Sequence, residues 1–115
     1  MKVLLAGPGA FGIKHLDGIK NIDGVEVVSL VGRDLEKTRE VAAEYGIGHV
    51  AVDLEQALTE TEAEAVILCT PTQLHASESI KCMQAGKHVQ VEIPLADSWA
   101  DAEEVMRTQQ ETGLT

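Results

Sequence analysis

Positive charge is scarce in this sequence. Nine lysines and arginines stand against nineteen aspartates and glutamates, a formal net charge of −10. A chain so acidic offers no broad surface to a nucleic-acid backbone, and an anionic membrane repels it. Long apolar runs are also missing: none approaches the ~20 residues a membrane span requires. The opening segment from Met1 to Gly7 is apolar too briefly for a secretory leader. Cysteine is sparse. Cys69 and Cys82 are too few for a disulfide framework and show no zinc spacing. They read as small, buried, apolar side chains, and they suit a reducing, cytoplasmic compartment. No Ser/His/Asp or Cys/His arrangement follows from spacing, and no His/Cys cluster marks a metal. His15 and His49 have no partner pattern. Internal repeats, linkers and low-complexity segments are absent.

What is present fits one domain. The chain has 115 residues, and 44% of them are hydrophobic, enough for a core and too many for a disordered segment. Short apolar runs alternate with amphipathic stretches. Val3-Leu4-Leu5-Ala6 reads as a strand buried on both faces. Ala10 to about Lys20 reads as a helix with Ile13, Leu16 and Ile19 on one side. Val25 to Val31 is a β-branched strand. Asp34 is an N-cap for a helix that reaches Tyr45 and stops at Gly46. His49 to Val52 is a short strand, and Asp53-Leu54-Glu55-Gln56 resembles a capping box. Ala65 to Cys69 is a further buried strand. Gln73 to Ala85 reads as a helix, with Ala76, Ile80 and Met83 on one face and Gly86 as its cap. His88 to Val91 makes a fifth strand. Ser98 opens a last helix, where Trp99, Ala102, Val105 and Met106 form an apolar stripe before Gly113. Five strands alternating with five helices predict an α/β fold, a doubly wound parallel sheet joined by right-handed crossovers. The last helix ends only just before the chain does. Residues 1–115 therefore read as the N-terminal domain of a longer protein.

One motif carries chemistry. Gly7-Pro8-Gly9-Ala10-Phe11-Gly12 is a GxGxxG that follows a strand and opens a helix, the context in which it binds a dinucleotide. Gly7 permits the tight turn, Gly9 lets a pyrophosphate approach the backbone, and Gly12 lets the helix pack on the strand. Free N–H groups at the helix start then face the phosphates. The motif lies in the least acidic part of the chain: residues 1–33 carry four basic and three acidic side chains, residues 34–115 five and sixteen. The end of the second strand selects the cofactor. NAD enzymes usually place an acid there for the ribose 2′-hydroxyl. This chain reads Leu30-Val31-Gly32-Arg33-Asp34. Gly32 removes the carboxylate that would repel a 2′-phosphate, and the planar fork of Arg33 suits that phosphate. NADP is favoured over NAD. Asp34 has two readings, ribose acid or cap of the next helix. A methyltransferase also has a glycine loop after its first strand, but Gly32 counts against it.

Two more strand ends face the same edge of the sheet. The fourth runs into Thr70-Pro71-Thr72-Gln73-Leu74-His75, and Ala85-Gly86-Lys87-His88-Val89-Gln90-Val91-Glu92-Ile93-Pro94 brackets the fifth. With the glycine loop, these segments make the chain resemble the Gfo/Idh/MocA family of oxidoreductases along its whole length. The resemblance implies a Rossmann domain and hydride transfer between a nicotinamide and a small-molecule carbonyl–alcohol pair. It also implies a separate, largely antiparallel substrate domain that mediates homo-oligomers. Gly7, Gly9, Ala10, Phe11 and Gly12 would form the pyrophosphate loop. Thr70, Pro71 and His75 would line the ribose and nicotinamide side, although His75 also reads as a satisfied helix-end histidine. Glu92 would lie near the nicotinamide ribose, and Pro94 would fix the turn, often through an unusual peptide geometry. The family's usual Glu-Lys-Pro is here Glu-Ile-Pro. Ile93 cannot move a proton, so the catalytic acid or base is expected outside this chain. A non-catalytic nucleotide-binding or redox-sensing module is the rival reading. Trp99 is expected in the core or on a domain-packing surface.

Overall fold

A computed structural model describes residues 1–115. The elements follow the chain as β1 (Lys2–Ala6), α1 (Ala10–Ile19), β2 (Glu26–Val31), α2 (Leu35–Tyr45), β3 (His49–Ala51), α3 (Leu54–Glu60), β4 (Ala65–Leu68), α4 (Thr72–Gln84), β5 (His88–Val91) and α5 (Trp99–Thr112). All strand pairs are parallel, in the order β3-β2-β1-β4-β5. The chain therefore winds outward from β1 to β3, returns to the far side of β1, and winds outward again. The reversal lies between β1 and β4, where open α/β sheets bind ligands beyond the carboxyl ends of their strands.

The strands are apolar because both faces of the sheet are covered. Leu4 and Leu5 on the central strand are fully buried and point to opposite faces. Leu4, Ala6, Val66 and Leu68 pack with Leu54, Ala57 and Leu58 of α3 and Cys82 of α4. Val3, Leu5 and Leu30 pack with Leu16 of α1, Ala42 of α2 and Ile47. Helix ends follow local chemistry. Asp34, Asp53 and Ser98 accept the backbone N–H groups of Lys37, Gln56 and Asp101 at 3.2, 2.9 and 3.1 Å. Gly46 and Gly113 end α2 and α5 in the left-handed conformation.

The stripe predicted on α5 is only partly covered. Val105 is buried with Ala76 and Met83 of α4, whereas Trp99 is 79% and Met106 52% exposed. This helix packs on α4 at one side of its apolar arc, so of the two expectations for Trp99 the core position falls and a surface position is what the structure has. Leu114 and Thr115 turn back along β5. The Thr115 carbonyl accepts from Val89 N–H at 2.9 Å, and its N–H donates to His88 Nδ1 at 3.1 Å. No helix is long and apolar enough to cross a membrane.

Because Leu5 is buried on the strand shared by both halves of the sheet, Leu5→Ala is expected to lower the unfolding free energy by about 2–5 kcal/mol. Denaturant titration of the two proteins measures the difference.

Candidate functional site

A cleft of ≈ 400 Å³ opens at the carboxyl ends of β1, β2 and β4. Gly7, Pro8, Gly9, Gly32, Arg33, Thr70 and Pro71 line it, with Leu74, Glu78 and Lys81 from α4 and Asp53 and Glu55 from the start of α3.

The three glycines of the loop differ in what demands them. Gly7 has φ +98°, and a Cβ there would collide with the Cys69 carbonyl oxygen. A Cβ on Gly12 would collide with the carbonyl oxygen of Gly7 itself. Both are fixed by backbone packing within the protein. Gly9 is not. Its φ is −82°, and a Cβ there would meet no atom within 4 Å. The protein leaves open space at Gly9, as a site approached closely by a phosphate requires. Helix ends point the same way. The first turns of α2, α3 and α5 each receive a side-chain cap, whereas α1 and α4 open without one. Both uncapped helices start at the cleft, and α1 carries no acid in its first turn. The unmet N–H groups of Ala10, Phe11 and Gly12, with the positive end of the helix dipole, form an anion seat. Phe11 is 60% exposed, and Lys14 Nζ lies 5.0 Å from its ring centroid.

At the end of β2, Asp34 is not among the residues lining the cleft and serves the next helix. Its carboxylate accepts from Lys37 N–H, so the residue caps α2. Gly32 is buried, and Arg33 is exposed at the cleft mouth and belongs to no ion pair. Other carboxylates along this wall are engaged. Asp53 caps α3, and Glu55 pairs with Lys81 Nζ at 2.5 Å. Beyond β4, the Thr70 hydroxyl donates to Glu78 Oε2 at 2.5 Å. Burial is the main influence on Glu78 and raises its pKa above the ordinary carboxylate range, the Thr70 hydrogen bond opposing it.

His75 is not in the cleft. It is 2% exposed; Nδ1 lies 2.8 Å from the Pro94 carbonyl oxygen and Nε2 2.7 Å from that of Thr70. Carbonyl oxygens only accept, so each ring nitrogen faces an acceptor. The ring clamps the β4–α4 turn to the turn after β5, and the expectation that it lines the cofactor side gives way to this bracing position. The Ile93–Pro94 peptide is cis, and Ile93 is 89% exposed. Neither Glu92 nor Pro94 lines the cleft, but the Glu92 carboxylate lies within 4.8 Å of the thiol of Cys69, which does.

Glu92 has a partner that spacing did not reveal. His15 Nε2 on α1 lies 2.6 Å from Glu92 Oε1, and both side chains are about three-quarters buried. Cys69 completes a set of donor atoms within 4.8 Å of one another. Burial chiefly, and the Glu92 charge secondarily, push the Cys69 thiol up to about 11, so it stays protonated at neutral pH. His49 likewise has partners, Ser29 Oγ at 2.9 Å and Glu60 Oε2 at 3.1 Å. These contacts join residues many positions apart, so spacing carries no signal for them. Glu78 was missed for a related reason: only the folded turn brings it to Thr70.

A parallel sheet reversing between β1 and β4, a glycine open to a phosphate and an uncapped helix beside it define a dinucleotide-binding Rossmann domain. The chain belongs to the Gfo/Idh/MocA oxidoreductase family, described as having an NAD-binding Rossmann fold, which it matches over residues 1–115. It is 66% identical to a 4-carboxy-2-hydroxymuconate-6-semialdehyde dehydrogenase of Sphingobium sp. (strain NBRC 103272 / SYK-6), over 99% of this chain and 36% of that protein. It is 31% identical to a 1,5-anhydro-D-fructose reductase of Ensifer adhaerens, over 96% of this chain and 33% of the reductase. Among solved structures, the WlbA dehydrogenase of Bordetella pertussis in complex with NADH and UDP-GlcNAcA superposes with a TM-score of 0.93 at 28% identity, covering 99% of this chain and 36% of that one. The chain spans about a third of the length of these relatives.

Two outcomes follow. Gly9→Ala is expected to leave the melting temperature within a few degrees of the parent and to weaken dinucleotide binding at least tenfold, about 1.4 kcal/mol. Calorimetric titration beside a thermal melt checks both. Glu78→Gln keeps an acceptor for Thr70 and removes the charge. A carboxyl whose folded pKa is raised costs stability above that pKa and nothing below its unfolded value, about 4.3. The variant is therefore expected to melt higher than the parent at pH 7, with the gap closing as the pH falls to 4.

Proposed function

We propose that the full-length protein is an NADP-dependent dehydrogenase that transfers hydride between the nicotinamide and a carbonyl–alcohol pair. The substrate class is a carboxylated semialdehyde in its cyclised form. The observation that carries the cofactor choice is Arg33, an exposed guanidinium in no ion pair, beside a buried Gly32 at the cleft mouth. A 2′-phosphate offers it a bidentate partner, while Asp34 and Asp53 are engaged as helix caps. The substrate class rests on the 66% identical semialdehyde dehydrogenase.

The dinucleotide supplies the hydride when bound; the chain's own residues hold it in place. The amides of Ala10, Phe11 and Gly12 would seat the diphosphate. Thr70 and Pro71 form the facing wall. Glu92, held by His15, would offer an oriented carboxylate to the hydroxyls of a nicotinamide ribose. Ile93 carries no proton, so the proton partner of the hydride belongs to residues outside this chain. We place the full-length protein in the cytoplasm as a homo-oligomer assembled through its second domain, with residues 1–115 as the N-terminal, nucleotide-binding domain. Ile93 also supports a second reading, a nucleotide-binding or redox-sensing module without turnover.

Titration of the full-length protein with NADPH and NADH tests the assignment. Arg33→Ala is expected to weaken NADPH binding about 10- to 100-fold, the range of a charge-assisted phosphate contact, and to leave NADH binding within twofold. Tighter NADH than NADPH binding by the unaltered protein would reject NADP. Oxidation of a cyclised carboxylated semialdehyde with NADP reduction supports the enzyme. NADPH binding with no turnover of any such substrate supports the sensor.

A further inference from the structure

We propose that Pro8 and Thr38 set the dinucleotide preference of this site at one remove, by leaving no room for a side chain at position 32. The inference deepens the NADP reading above and rests on it. Gly32 does not have the positive φ that would itself call for glycine. Its neighbours impose it instead. A Cβ at this position would lie 2.7 Å from Pro8 Cγ and 2.8 Å from Pro8 Cδ, and would collide with Thr38 Oγ1. Carbon atoms attract at about 3.5–4.0 Å, so these contacts are firmly repulsive.

Neither obstacle yields easily. The pyrrolidine ring of Pro8 is closed onto its own backbone nitrogen and cannot swing aside as an open side chain would. Thr38 is fully buried, and its hydroxyl donates to the Asp34 carbonyl at 2.6 Å in the first turn of α2. The loop after β1 and the first turn of α2 thus close on Gly32 from two sides.

The consequence is chemical. An acid at the end of β2 is the group that grips a ribose 2′-hydroxyl and repels a 2′-phosphate. Here packing excludes it. The next side chain able to reach the cleft from this strand end is Arg33. The preference is therefore shared between the phosphate loop and α2: Pro8 and Thr38 position the specificity, and Arg33 delivers it.

The test uses the full-length protein with Gly32→Asp alone, Pro8→Ala/Thr38→Ala, and the three changes together. Gly32→Asp alone is expected to lower the melting temperature and weaken NADPH and NADH alike, without reversing their order. The triple variant is expected to bind NADH at least tenfold tighter than NADPH. A purely structural role for Pro8 and Thr38 would restore stability without moving that ratio, and this outcome would overturn the proposal. So would a reversal of preference by Gly32→Asp alone at an unchanged melting temperature. Should Gly32→Asp not fold, Gly32→Ala is melted in both backgrounds. The loss is expected to be at least halved where Pro8 and Thr38 are alanine; equal losses overturn the proposal. An unaltered protein that prefers NADH sinks the NADP reading, while the melting comparison still decides whether Pro8 and Thr38 close position 32.

Discussion

The cleft exists because the backbone leaving β1 lies directly against the backbone leaving β4. Gly7 sits so close to the Cys69 carbonyl that even a methyl group would not fit between them. The Gly7 N–H is drawn to the Val31 carbonyl at 2.9 Å, and Cys69 N–H to the Ala6 carbonyl at 2.8 Å. Three strand ends are thereby fixed to one another by main-chain groups. The start of α1 follows from this, because Gly12 packs on the carbonyl of Gly7. An anion seat built on backbone amides can be no better placed than the turn that carries them, and here the turn has little freedom.

Around this backbone frame, polar groups divide into committed and uncommitted ones. Asp34, Asp53 and Ser98 serve helix starts, Glu55 serves Lys81, and Glu78 holds Thr70. His75 ties two turns together from beneath, and His15 holds Glu92 from the side. What is left free at the cleft is the start of α1, the start of α4 and the Arg33 guanidinium. The chain is strongly acidic as a whole, yet the uncommitted groups at its cleft are hydrogen-bond donors and a cation. An anionic nucleotide would meet free donors and a guanidinium there, because the Asp53, Glu55 and Glu78 carboxylates are each held in a cap, an ion pair or a hydrogen bond.

Apolar run length, β-branching and glycine stops made the five strands and five helices legible before folding, since these signals act over a few residues. The capping residues were legible for the same reason: Asp34, Asp53 and Ser98 act on an amide three positions away. The apolar stripe of Trp99, Ala102, Val105 and Met106 was legible too, but not that Trp99 and Met106 would be left exposed. Helical periodicity says which residues share a face and not how much of that face a neighbour covers. The partners of His15, His49 and Glu78 were hidden because each contact depends on turns and strand register.

The alternation of elements, the glycine loop and the absence of an acid at Gly32 are properties of local pattern, set by neighbouring residues alone. Which glycine of the loop faces open space, and that Asp34 caps α2, emerge only in the folded chain. It alone showed that His75 is a brace and that Gly32 is wedged between Pro8 and Thr38. Those are questions of which atoms occupy the same few ångströms. Residues distant in the chain answer them only once a parallel sheet has brought its strand ends to one edge.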